Sequence, residues 1–185
     1  RFRQEVTLSR QLAHPNVIRL HDLGAHGRVR FMTIELVEAR SLDACVGRPI
    51  DPRGAAGLLL HACAGLGAAH ARGIVHRDIK PSNILITEIG GEPDFVKLLD
   101  FGIAKHGVLG ESDTLTNAGM LIGTPAYMSP EQASSGKVDA RADLYALGAV
   151  LFFALTGRPL FSGSAGMLVA AHLSGVPPVP SAYSP

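Results

Sequence analysis

Asp78, Lys80 and Asn83 fall within six residues of one another in the stretch HRDIKPSN, and Asp100 follows Asn83 by 17 positions. A carboxylate, an ammonium and an amide on one polar turn, joined by a second carboxylate further on, are parts that phosphoryl transfer asks of a protein. That reaction needs little covalent help. It needs oxygen ligands for a divalent cation on the phosphates, a carboxylate near the acceptor hydroxyl, and positive charge over the developing negative charge. Two oxygen donors, from Asn83 and Asp100, suit a magnesium ion that keeps water and phosphate oxygens as its other ligands.

For these groups to meet, the chain between them must double back. The apolar run ILI at 84–86, the pair Gly90-Gly91 and the run VKLL at 96–99 predict strand, turn and strand, which returns Asp100 to Asn83. Upstream, Leu58, Leu59, Ala62, Leu66 and Ala69 recur at helical spacing within 53–72, with Gly73 as a stop. Downstream, LYALGAVLFFAL at 144–155 is shorter than the roughly 17 to 25 residues of a membrane span, and Asp143 heads it. It predicts a buried helix. A small helix is expected at Ala165–Leu173, before a tail whose prolines oppose regular structure.

The opening RFRQEVTLSRQL predicts an amphipathic helix that ends before His14-Pro15-Asn16. Strands are expected at Val17–Leu23 and Val29–Val37, joined by a turn over Gly24–Gly27. Residues 103–130 lack periodicity, and so long a connection inside a compact domain is usually functional. The chain shows no internal repeat and no second domain.

Composition bounds the reading. The 185 residues are 46% hydrophobic and 18% charged, which fits one globular domain. Seventeen basic against 16 acidic residues, without a long block of one sign, speak against a nucleic-acid-binding tail. Cys45 and Cys63 have neither disulfide-framework nor zinc-site spacing and are expected as buried, reduced thiols.

His76-Arg77-Asp78 through Asn83, with Asp100-Phe101-Gly102, then Gly123-Thr124 and Ser129-Pro130-Glu131, resembles the catalytic loop, metal loop and substrate platform of the eukaryotic-type serine/threonine protein kinases. The runs GTPAYMSPEQ and DIKPSN are most similar to the family's bacterial members. The resemblance implies an α+β, bilobal, kinase-like fold as a single partial domain spanning 1–185. Residues 1–37 would be the remnant of the small lobe and the hinge, one helix and a hairpin, and 38–185 most of the mainly helical large lobe without its last helices.

By the same resemblance Asp78 would be the base for the substrate hydroxyl, Asn83 and Asp100 the magnesium ligands, and Lys80 the contact to the transferred phosphate. Thr124 would bond base and lysine, and Glu5 would pair with the lysine that anchors ATP. Ile34 falls at the gatekeeper, Glu35 to Val37 on the hinge that receives adenine, and Leu85 beneath the adenine ring. Asp143 matches the buried aspartate that holds the catalytic loop, Arg77 a phosphate-pairing arginine, and His76 a packing residue. Lys80 and Thr124 favour serine or threonine over tyrosine as acceptor.

The implied ligands are ATP and Mg2+, and the implied partners are proteins with Ser/Thr acceptors, without nucleic acid and without membrane contact from this segment. A homodimer arranged for autophosphorylation at Thr114 or Thr116 also fits, although Ala118 stands where bacterial relatives often carry a second threonine. The catalytic domain would be cytoplasmic, with a membrane anchor elsewhere in the full-length protein left open.

The resemblance breaks in two places: no GxGxxG or VAIK-like lysine precedes Glu5, and the arginine that pairs with Glu131 in the family is missing. The isolated piece is therefore expected to show no appreciable turnover. A pseudokinase scaffold or nucleotide-binding module without turnover remains the alternative, and a small-molecule kinase of related fold is disfavoured by the GTPAYMSPEQ segment.

Overall fold

The computed structural model describes residues 12–27, 29–101, 125–134 and 136–183. Strands β1 (Leu20–His26) and β2 (Val29–Ile34) form an antiparallel hairpin with Leu20 opposite Ile34 and His26 opposite Val29. The first strand starts later than the apolar run suggests, because Asn16 to Ile18 are engaged elsewhere. The Ile18 N–H donates to the Leu98 carbonyl and the Leu98 N–H to the Asn16 carbonyl, each at 2.9 Å, while Asn16 Nδ2 donates to the Val96 carbonyl at 2.8 Å. Gly24, Ala25 and His26 thus belong to β1, and the chain reverses at Gly27, whose φ is 59°.

A second sheet has the order β3 (Arg40–Ser41), β4 (Ile84–Ile89), β5 (Glu92–Leu98), all antiparallel. β4 and β5 are the predicted return, and Gly90 and Gly91 turn it with φ of 62° and 81°, the region where glycine carries no Cβ penalty. Two-residue β3 left no periodic signal in the sequence.

Helix α1 (Pro52–His70) begins where Asp51 accepts the N–H groups of Arg53 and Gly54 at 3.0 and 3.1 Å, with proline at its first position. Leu58, Ala62, Gly65, Leu66 and Ala69 form its buried face, which packs on β5 and on α3. Gly65 is required there: a Cβ would stand 2.8 Å from the Asn16 carbonyl oxygen. Short α2 (Pro130–Ala133) precedes α3 (Ala140–Thr156), capped by Asp139, and α4 (Ala165–Ser174).

α3 is the buried helix that its apolar run predicts, with Ala146, Leu147, Val150 and Phe153 in one cluster with Leu66, Ile84, Val96 and Leu98. No helix among the described residues is long and apolar enough to cross a membrane. The cysteines correct an expectation: both are free, but Cys63 is exposed and Cys45 only half-buried. Cys63 stands on the side of α1 opposite its packed face, where helical periodicity sends the position to solvent despite its apolar neighbours.

Candidate active site

The turn Pro81–Asn83 runs straight into β4, so Asn83 sits at the mouth of the strand pair. Its Nδ2 donates to the Asp78 carbonyl at 2.8 Å and to Asp78 Oδ2 at 3.2 Å. Lys80 Nζ reaches the same Oδ2 at 3.0 Å, and the side chains of Lys80 and Asp78 stay partly open to solvent at 24% and 18% exposure. One carboxylate is thus oriented by an amide and an ammonium together.

The β4–β5 return does what the spacing requires. The Leu99 N–H donates to the Asn83 carbonyl at 2.9 Å, and the next residue, Asp100, is exposed at the same end of the pair. Asp100 has a φ of 58°, one of three non-glycine residues with positive φ among those described; the others are Arg77 and Asp94. Such strain clusters at functional sites.

Beneath the loop lies a buried polar frame. Asp143, 1% exposed in the first turn of α3, accepts from the His76 N–H and Arg77 N–H at 2.8 Å each and contacts His70 Nε2 at 2.8 Å. A buried carboxylate must be satisfied in this way, and these bonds lock the loop to two helices. His76, fully buried, places Nε2 3.0 Å from the Leu99 carbonyl, receives the Asp78 N–H on Nδ1 at 3.3 Å, and lies against the Phe101 ring. Those partners call for the neutral ring with hydrogen on Nε2. Burial lowers the His76 pKa from its ordinary 6.5, outweighing the opposing pull of the Asp143 carboxylate.

The segment after β2 lines an open cavity of about 590 Å³, shared by Glu35, Leu36, Val37 and Glu38 with Thr87, Glu88, Ile89 and Lys97. Glu35 forms an ion pair with Lys97 of β5. Leu85, half-buried, is the cross-strand partner of Lys97 and therefore shares its face of the sheet. Ile34 lines a separate small cavity of about 30 Å³ with Leu12, Val17, Leu20, Asp100 and Phe101.

The structure thus brings Asp78, Lys80, Asn83 and Asp100 to one end of the strand pair, and Glu35 and Val37 to the cavity that Lys97, the cross-strand partner of Leu85, also lines. Glu5, Gly102, Thr114, Thr116, Gly123 and Thr124 lie outside the described residues. Three partners escaped the sequence reading: Lys97, hidden in an apolar strand; His70, at the end of an apolar helix; and Gln132, whose Nε2 donates to the Arg77 carbonyl at 2.9 Å. The SPEQ tetrapeptide could have flagged Gln132, since a glutamine three residues after a serine marks a capping box.

Comparison with known proteins is consistent with this geometry. A family model described as the protein kinase domain matches residues 1–176. The chain is 42% identical over 185 residues to the serine/threonine-protein kinase Pkn1 of Myxococcus xanthus, covering 99% of this chain and 26% of that protein. It is 42% identical over 188 residues to PknH of Mycobacterium tuberculosis, covering 100% of this chain and 29% of that protein. The chain therefore spans under a third of the length of these relatives. Two crystal structures of variants of the Mycobacterium tuberculosis PknI kinase domain superpose with TM-scores of 0.73 and 0.70 at 23% and 25% identity. Each covers 98% of this chain, and this chain covers 63% and 62% of theirs. On the match of the family model and on identity above 40% across the chain, it belongs to the protein kinase domain family, among the serine/threonine-protein kinases of bacteria.

Proposed function

We propose that the protein carrying this chain transfers the terminal phosphoryl group of ATP to serine or threonine hydroxyls of other proteins. The observation that carries the reading is the single Asp78 carboxylate held by both Asn83 Nδ2 and Lys80 Nζ at the head of a strand pair that returns Asp100 to the same place. Asp78 orients the acceptor hydroxyl and takes its proton. The new P–O bond forms to that oxygen, the bond to the bridging oxygen of ADP breaks, and Lys80 meets the charge on the transferred group.

The donor set fits magnesium. Asn83 uses its Nδ2 on Asp78, which leaves Oδ1 for a cation, and exposed Asp100 follows Leu99, whose N–H donates to the Asn83 carbonyl. Two protein oxygens suit an ion that keeps phosphate and water oxygens as its other ligands. Asn83 and Asp100 would hold the ion, which would offset the charge of the phosphates. Glu35 to Val37 would present backbone groups to adenine with Leu85 beneath, and Ile34 would close the back of the pocket.

Within the same reading Thr124 would bond Asp78 and Lys80, Glu5 would pair with the ATP-anchoring lysine, and a second copy would phosphorylate Thr114 or Thr116. The test is Asp78→Asn in the protein that carries this chain. Phosphate transfer to a serine peptide should fall by about 10²-fold or more, while ATP binding persists. An unchanged rate would remove Asp78 from its role.

A further inference from the structure

Arg77 stands immediately before Asp78 with a φ of 63°, in the left-handed region that a residue with a Cβ adopts only under restraint. Both polar groups of this residue's backbone are held. Its N–H donates to Asp143 Oδ1 at 2.8 Å, from α3, and its carbonyl accepts from Gln132 Nε2 at 2.9 Å, from α2. The other end of that amide is engaged too: Gln132 Oε1 accepts the Ser129 N–H at 3.1 Å, and the Gln132 N–H donates to Ser129 Oγ at 3.4 Å. Ser129 is fully buried, so the side chain springs from a rigid base.

The geometry points to Gln132 as a positioning residue: its amide holds the left-handed Arg77 peptide from the carbonyl side and so sets where the Asp78 carboxylate stands. The inference rests on the reading of Asp78 as the base. The Asp143 bond lies in the preceding peptide; in the Arg77–Asp78 peptide itself the Asp78 N–H is held by His76 Nδ1 at 3.3 Å. With Gln132 in place, that plane has an anchor on each side.

Gln132→Glu separates this role from simple helix capping. Glutamate keeps an oxygen for the Ser129 N–H and serves as well as glutamine at the third position of a capping box. It loses the Nε2 donor and sets a carboxylate oxygen against the Arg77 carbonyl. Gln132→Leu loses both the acceptor for the Ser129 N–H and the tether, keeping only the backbone bond to Ser129 Oγ.

The experiment compares both variants with the parent protein by amide hydrogen exchange and by steady-state kinetics. In Gln132→Glu, exchange at Arg77 and Asp78 should quicken by about 10-fold, with thermal stability near the parent's. Its kcat should fall by about 10-fold, with KM for ATP inside about 2-fold. Unchanged exchange overturns the inference. So does quicker exchange with unchanged kcat, since the tether would then not position the base, and so does a Gln132→Glu that loses stability and KM as Gln132→Leu does. Asp78→Asn run in parallel keeps the two readings apart: if it leaves the rate intact, the assignment of the base has failed, while the exchange data still decide whether Gln132 holds the loop.

Discussion

The two antiparallel strand pairs of this molecule are similar in length and opposite in support. In β4 and β5, Ile84, Ile86, Val96 and Leu98 are each at most 4% exposed, covered by α1 and by the core that α3 completes. In β1 and β2, Val29, Phe31, Met32 and Ile34 are 65%, 49%, 39% and 41% exposed. The Glu35 N–H on the Arg19 carbonyl closes the hairpin at its base, and the Ile18 N–H on Leu98 and the Glu35–Lys97 ion pair join it to the rest. The proposed catalytic groups stand on the pair that two helices support, and the segment proposed to receive adenine follows the pair that they do not.

The largest effect is expected from removing the frame beneath the loop. Asp143→Ala strips the acceptor from two backbone N–H groups and from His70, and should destabilise the fold by about 3–5 kcal/mol in denaturant unfolding. A loss below about 1 kcal/mol would show that the loop is held by packing instead.

Matched truncations on the two sheets test the difference in support. Leu98→Ala, at a site with no exposure, should cost about 2–5 kcal/mol. Phe31→Ala, on the half-exposed face that lies over Gly24, should cost less than about 1 kcal/mol, and equal losses in calorimetry would erase the distinction.

The mildest effect is on pH dependence. His76 has a folded pKa below 6.5, so as pH falls through that value the unfolded chain takes up a proton that the native state refuses, and stability declines. Above 6.5 both states are neutral at this ring and the contribution is flat. His172, also lowered chiefly by burial, acts in the same direction. Thermal unfolding between about pH 7.5 and pH 5 should show the decline, and NMR titration should find the His76 ring still neutral where exposed imidazoles have charged. A midpoint that rises on acidification would contradict it. Protonating Nδ1 would also turn the acceptor of the Asp78 N–H into a second donor, so the loop loses its support at the same point.

Much of the loop and its return was legible in advance for a local reason. Asp78, Lys80 and Asn83 lie on one turn, and two apolar runs around Gly90-Gly91 can pair in one way that buries Ile84, Ile86, Val96 and Leu98 together. Periodicity found α1 and α3 because each carries a whole face of apolar residues to one core.

Where partners are distant in sequence, local pattern fell silent. Nothing near Val17 announces that its segment joins β5 instead of opening the hairpin, since an apolar run satisfies either pairing and the Asn16 amide on Val96 decides it 80 positions away. The same holds for Lys97 meeting Glu35 and for Gln132 reaching Arg77 across 55 positions. Residue types and spacing alone determined which groups could perform chemistry and that a strand return would gather them. Which peptide planes are clamped, and which strand pair is covered by helices, was settled only by tertiary packing, because a hydrogen bond between remote segments leaves no period in either one.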